Sequence, residues 1–306
     1  MSRYYIGVDG GGTKTALAAF DESGAQVAES LSGPMNYNFT GIPEALDNLK
    51  RGIAALGLTD GSIAAVGIGD PSIDDHPNTA VAREFLAMCE RELSVPVYIR
   101  SDAYMSLFAL TEGRERGVLV ISGTGAIALG EDGDGRIHVA GGWGRISDDE
   151  GSGYYIGISG IRAALRCADG IAERTALLPA ALEYFCKKEP RELVEAFYGD
   201  AEPDIAGFSR KVAECAESGD AVAREILSSA ASYLASYAGA LIERCGVRLV
   251  GVYGSVLCKN KIVRDGFESI LRARFGEITV REPLVSAQYA AAAYAKMKEE
   301  KNNEQL

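Results

Sequence analysis

The chain has 306 residues and a mass of 32.4 kDa, long for one hydrophobic core and sufficient for two. Apolar residues make up 47% and charged residues 24%, which excludes a disordered chain or a coiled coil as the main architecture. Basic residues number 31 against 43 acidic, a net charge of −12 with no basic cluster longer than a pair, so no nucleic-acid partner is expected.

Taken in chain order, residues 4–8 form a short apolar strand ending in Asp9, and 15–20 form a second. Asp21-Glu22-Ser23-Gly24 is a hairpin turn into a third strand at 26–31. Ala45, Leu46, Leu49, Ile53 and Leu56 recur at helical spacing and predict a helix over 43–56. Strands at 63–68 and 95–99 alternate with helices at 79–93 and 103–110. The pattern then restarts with a strand at 117–121, the turn Gly123-Thr124-Gly125, a strand at 126–130, an acidic glycine turn and a strand at 136–140. Thr13 precedes Asp21 by 8 positions and Gly24 by 11, and Thr124 precedes Asp132 by 8 and Gly135 by 11. These equal offsets signal an internal duplication.

The second half is mainly helical from 154 to 244, with interruptions expected near Pro179, Pro190 and Pro203. A strand at 248–253, helix over most of 256–275, a strand at 278–280 and an Ala-rich helix at 286–298 follow. The polar tail from Lys301 is expected to fray. Strands alternating with helices after a meander predict α/β architecture with mixed sheets, divided near 111–116. The opening MSRYYIGVDGGG has no basic-then-apolar leader, and no run of about 18 apolar residues exists. A cytoplasmic protein that spans no membrane is therefore expected.

The six cysteines, Cys89, Cys167, Cys186, Cys215, Cys245 and Cys258, lie nowhere at C-x-x-C spacing. They read as reduced thiols rather than a zinc site or a disulfide framework. His76 and His138 have no His or Cys neighbours in sequence, which disfavours a histidine catalytic pair. Glycine is the compositional anomaly: 36 residues, about 12% against roughly 7% on average, concentrated at 7–12, 123–157 and 246–254.

Asp9-Gly10-Gly11-Gly12-Thr13-Lys14-Thr15 joins two strands. Its glycines can take positive φ and offer consecutive N–H groups to an anion, Thr13 and Lys14 add donors, and Asp9 can hold a divalent cation. It is not a Walker A loop. Ser122-Gly123-Thr124-Gly125 occupies the same place in the second start. Gly141-Gly142-Trp143-Gly144 followed by Asp148-Asp149-Glu150-Gly151-Ser152 is rich in glycine and acids; it reads as a site for a cation or sugar hydroxyls, or as an acidic cap on the next helix. Asp102 follows a strand and opens a helix, as a helix N-cap or as a general base. Gly254-Ser255 after the strand at 248–253 suits either a nucleotide passing close to backbone or a plain turn.

With these residues in view the chain resembles the sugar kinase/Hsp70/actin ATPase superfamily, and within it the BadF/BadG/BcrA/BcrD-type family, above all the N-acetylglucosamine kinases, from Ile6 to Tyr294. Asp9-Gly-Gly-Gly-Thr-Lys is similar to the family's first phosphate loop, Ile121-Ser-Gly-Thr-Gly to its second, and Gly254-Ser255-Val256 to its adenosine segment. The run beginning Ala206-Gly-Phe-Ser-Arg-Lys is similar to a helical stretch without catalytic role. The resemblance implies two RNase H-like (actin-like ATPase) domains with mixed five-stranded sheets around a central cleft, at 1–112 and 113–306. The second carries a helical insertion, and the last helix, about 285–298, packs back toward the first. It implies an ATP-dependent kinase acting on the 6-hydroxyl of an amino sugar, N-acetylglucosamine foremost.

The roles that the resemblance implies run as follows. Asp102 is the catalytic aspartate. Asp9, Gly11, Gly12, Thr13, Lys14, Gly123, Thr124, Gly125, Gly254 and Ser255 bind ATP, with Mg²⁺ at Asp9 through water. Asn36, Asp102, Thr124, Gly142 and Asp149 bind the sugar, and the protein is a homodimer. Two departures from the family pattern stand out: Gly69-Asp70-Pro71-Ser72 replaces a small Ser/Ala-Gly segment beside the sugar, and Asp148 replaces a glycine. Rival readings are an N-acetylmuramate or glucosamine kinase, the ATPase that activates 2-hydroxyacyl-CoA dehydratases, and a sugar sensor without activity. The second expects a cluster-binding cysteine pair, and the third a DNA-binding head ahead of the first strand; neither is present in this sequence.

Overall fold

In the computed structural model the structure describes residues 2–58, 62–73, 80–199 and 203–304. His76 and Thr79 lie outside them. The chain forms two compact units, Met1–Arg116 with Pro283–Leu306, and Gly117–Glu282.

Unit 1 starts with β1 (Arg3–Asp9), β2 (Thr15–Phe20) and β3 (Gln26–Ser32), followed by α1 (Tyr37–Thr40), α2 (Ile42–Ala55), β4 (Ser62–Gly69), α3 (Ala80–Leu93), β5 (Val97–Arg100) and α4 (Asp102–Thr111). Its sheet runs β3-β2-β1-β4-β5, with β1, β4 and β5 parallel and β2 and β3 antiparallel. The parallel strands read as continuous apolar runs because both faces are covered. Edge strand β3 alternates in exposure. Helix α1, a single turn, carries no periodic signal in the sequence.

Unit 2 repeats the order with β6 (Val118–Ser122), β7 (Ala126–Glu131) and β8 (Ile137–Gly141). Five helices follow: α5 (Gly153–Ala168), α6 (Leu177–Tyr184), α7 (Leu193–Tyr198), α8 (Ile205–Glu217) and α9 (Ala221–Cys245). The unit ends with β9 (Leu249–Tyr253), α10 (Ser255–Lys259), α11 (Lys261–Phe275) and β10 (Thr279–Arg281). Its sheet order, β10-β9-β6-β7-β8, is that of unit 1 read from the opposite edge. The α/β class with two mixed five-stranded sheets is the expected RNase H-like arrangement.

The duplication extends to individual hydrogen bonds. Asp21 Oδ1 accepts from the N–H groups of Ser23 and Ala25, and Gly24 sits at φ +86°. Asp132 Oδ1 accepts from Asp134 and Arg136, and Gly135 sits at φ +75°. Both turns therefore need the short acceptor at the first position and glycine at the left-handed one. His138 belongs to the second turn, its Nε2 lying 2.7 Å from Asp132 Oδ2.

The last helix, α12 (Ala287–Glu304), belongs to unit 1, whereas the sequence division at 112/113 leaves it with the second domain. It lies directly on β1 and β4. A Cβ on Gly7 would stand 1.7 Å from the Gln288 carbonyl oxygen, and one on Gly67 1.9 Å from that of Ala291. The cross-strand pair Gly7–Gly67 and the buried alanines Ala290, Ala291, Ala292 and Ala295 are matching small surfaces.

Some boundaries differ from expectation. The helical stretch after residue 154 breaks after Ala168, and Pro179 sits inside the first turn of α6, where its missing N–H breaks no intrahelical bond. Pro190 opens a short 3₁₀ turn, and Pro203 precedes α8. The helix expected over 256–275 is split at Asn260, whose side chain caps α11 by accepting from Val263. Lys301 does not start a frayed tail; α12 continues to Glu304.

Candidate active site

In unit 1 the candidate residues gather at the carboxyl ends of β1, β4 and β5. Gly10, Gly11 and Gly12 all have negative φ, so the expected positive-φ anion nest is absent. Glycine serves close approach here. A Cβ on Gly10 would stand 2.9 Å from the Gly69 carbonyl oxygen and one on Gly11 2.5 Å from that of Lys14, while one on Gly12 would meet nothing within 4 Å. The loop is tied to the chain carrying Asn36: Met35 N–H donates to the Gly11 carbonyl, Thr15 Oγ1 to that of Gly33 at 2.7 Å, and Asn48 Nδ2 to that of Pro34 at 2.7 Å.

Asp9 ends β1 half-buried. Burial raises its pKa, the neighbouring Asp102 raises it further, and Lys14 opposes both. A carboxylate whose pKa is raised by a second carboxylate suits a hard cation. No group of three acidic, His or Cys side chains able to hold a metal ion occurs among the described residues; an aspartate such as Asp9 suits Mg²⁺ that keeps most of its waters.

The N-cap of α4 is Ser101, whose hydroxyl accepts from Tyr104 N–H at 2.9 Å. Asp102 is the first residue inside the helix, exposed, with Oδ1 accepting from Ala103 N–H at 2.7 Å. The cap reading of Asp102 is thereby corrected: a neighbour fills that role. Asp102 also acts electrostatically on Asp70, so one carboxylate is the charged neighbour of two half-buried or buried ones.

Asn36 caps α1, its Oδ1 accepting from Asn38 N–H at 3.2 Å and from the Ser72 hydroxyl at 3.2 Å. Asp70 is fully buried and its Oδ1 accepts from Ser72 N–H at 2.7 Å. Burial drives its pKa up to about 6 against these Ser72 hydrogen bonds. Sequence reasoning marked this segment only as a departure from the family; the usable signal was an Asp two residues before a Ser at a strand end.

In unit 2 the turn after β6 is stitched to the acidic loop. Ser122 Oγ donates to the Gly151 carbonyl, Gly153 N–H to that of Gly123 and Tyr154 N–H to that of Thr124. Asp149, at φ +61°, accepts from Ala126 N–H at 3.1 Å, and a Cβ on Gly125 would stand 3.1 Å from its carboxylate. Asp148 accepts from the Tyr237 hydroxyl and from Trp143 N–H at 3.2 Å, and Ser152 caps α5. These two acids tie the loop together, and the side-chain cap of α5 is Ser152 rather than an acid. Gly142, at φ +80°, packs against Ile127.

Gly123, Thr124 and Ser255 line a cavity of about 370 Å³ with Gly207, Arg210 and Lys259. The α8 segment, expected to have no catalytic role, supplies one wall. Gly254, at φ +90°, runs so close to β6 that a Cβ would stand 2.4 Å from the Ser122 carbonyl oxygen. Gly254→Ala combines a left-handed backbone with a backbone clash and is expected to cost about 3 kcal/mol. Calorimetry should show a lowered transition. Gly123→Ala, whose Cβ enters open space, should melt like the parent.

The chain is 30% identical over 290 residues to the N-acetylmuramic acid/N-acetylglucosamine kinase of Clostridium acetobutylicum, across 91% of this chain and 93% of that one. It is 28% identical over 284 residues to the N-acetyl-D-glucosamine kinase of Dictyostelium discoideum, across 88% and 89%. Its fold is similar to a Chromobacterium violaceum crystal structure solved as a candidate N-acetylglucosamine kinase, with a TM-score of 0.73 at 24% identity, across 95% of this chain and 98% of that one. The pattern of the BadF/BadG/BcrA/BcrD ATPase family matches residues 6–296, and the chain belongs to that family.

Proposed function

We propose that the protein is an ATP-dependent kinase that phosphorylates the 6-hydroxyl of an amino sugar, N-acetylglucosamine foremost. The observation that carries this reading is Asp102: an exposed carboxylate at the end of β5, relieved of capping by Ser101 and beside Asp9. Relatives named as kinases of N-acetylglucosamine and N-acetylmuramic acid align over most of the chain.

In this mechanism Asp102 accepts the proton of the attacking hydroxyl. Asn36, Thr124, Gly142 and Asp149 are the residues assigned to the sugar. The cavity lined by Gly123, Thr124 and Ser255 takes the nucleotide, with Gly254 and Gly125 as the close-approach positions. Gly11, Gly12, Thr13 and Lys14 serve the phosphates. Asp9 would hold Mg²⁺ through water, and the ion would supply charge neutralisation for the phosphates there. Positioning and electrostatics supply most of such a rate enhancement. A homodimer working in the reducing cytoplasm belongs to the same proposal; all six cysteines are free thiols.

A coupled ADP-release assay over a panel of amino sugars tests the reading. The highest kcat/KM is expected for N-acetylglucosamine. A preference for N-acetylmuramate or glucosamine would move the substrate, and no sugar-stimulated ADP release would remove the kinase assignment.

A further inference from the structure

We infer that Ser72, anchored by Asp70, is a positioning residue that fixes the side-chain amide of Asn36 for the sugar. The inference rests on the kinase reading of Asn36.

The geometry starts at the amide. A backbone N–H can only donate, so the Asn36 atom facing Asn38 N–H is the oxygen. The same oxygen takes the Ser72 hydroxyl at 3.2 Å. With Oδ1 doubly engaged, Nδ2 is the group left for an acceptor on a ligand, and no described residue accepts from it. Asn36 is half-buried, so the group is within reach of solvent and ligand.

Ser72 is itself held from three directions. Its N–H donates to Asp70 Oδ1 at 2.7 Å. Its Oγ accepts from Tyr37 N–H at 3.1 Å, and its carbonyl accepts from the Tyr37 hydroxyl at 3.3 Å. The Ser72 hydroxyl donates to Asn36 Oδ1 and the Ser72 N–H to Asp70 Oδ1, so the three residues form one network. Asp70 anchors Ser72 from the interior of the unit. It has no exposure, and its Oδ2 makes no hydrogen bond among the described residues. The Ser72 bond crosses from the end of β4 to the cap of α1, 36 residues apart. The unusual Gly69-Asp70-Pro71-Ser72 segment thus acts on the sugar through Asn36 rather than by touching it.

The test is a double-mutant cycle on steady-state kinetics, using ATP and the panel sugar with the highest kcat/KM. Ser72→Ala is expected to raise the sugar KM about tenfold and leave the KM for ATP within twofold. Asn36→Ala should raise the same KM at least as much, and adding Ser72→Ala to it should change nothing further. Ser72→Thr, which keeps the hydroxyl, should recover most of the loss. Should Ser72→Ala fail to fold, Ser72→Cys keeps the volume with a weak donor and reads the same coupling. A full tenfold loss from the Ser72 change on top of Asn36→Ala, or equal effects on both KM values, overturns the positioning role while leaving Asn36 at the sugar. A normal sugar KM in Asn36→Ala overturns the sugar reading of Asn36 and the inference with it.

Discussion

Asp102→Asn is expected to fold, to melt near the parent temperature, to bind Mg-ATP and sugar, and to lose about 10²–10⁴ in kcat. A hundredfold loss is about 2.7 kcal/mol of transition-state stabilisation. The structure makes the comparison clean because Ser101, not Asp102, caps α4. Asn at the first helical position still accepts from Ala103 N–H, as Asp102 does at 2.7 Å. It forfeits the charge–dipole term, roughly 0.3–1 kcal/mol at an exposed site. Stability and catalysis are therefore separable at this residue. Removing its charge should also lower the pKa of Asp9, which Asp102 raises. A variant within about threefold of the parent kcat would leave the chain without its base.

The second large effect concerns stability and pH. The Asp70 pKa is raised from 3.8 to about 6 because its carboxyl is fully buried. An acid whose folded pKa lies above its unfolded value binds more protons folded than unfolded between the two values. Its contribution to stability therefore falls as pH rises from about 4 to 6, and the loss is complete above that window. A shift of about two units corresponds to about 3 kcal/mol. Asp70→Asn has no such titration, while every other group is common to both proteins. The melting temperature of Asp70→Asn minus that of the parent should accordingly grow by several degrees between pH 4 and pH 7.5. The amide oxygen can still take Ser72 N–H, so the variant should retain the sugar site. An unchanged difference across that pH range would show that Asp70 titrates as an ordinary surface acid.

The parts of this protein that were legible in the sequence are those governed by short-range chemistry. The turns at Asp21 and Asp132 were readable because the aspartate bonds N–H groups two and four residues on, and Gly24 and Gly135 take the left-handed position. Strand β2 was readable from its apolar run, and the matched offsets signalled the repeated strand, turn, strand, acidic turn, strand, while the strand order within each sheet came from the structure. The resemblance to the kinases carried the site residues, which no periodicity distinguishes from ordinary turns.

Tertiary structure decided what depends on partners distant in the chain. Whether Asp102 or Ser101 caps α4 turns on which side chain points back at Tyr104, and both residue types cap well. Gly7 and Gly67 look like weak strand residues until α12 is laid across them. Gly254 is a simple turn glycine until β6 brings the Ser122 carbonyl against it. Ser72 and Asn36 meet only because β4 ends beside the cap of α1, and α8 walls a cavity only because it packs beside the turn after β6. Local hydrogen bonds are set by neighbours two to four residues away and survive as sequence patterns. Contacts across a sheet or between a helix and a sheet depend on register, which the chain acquires only when its apolar faces are buried together.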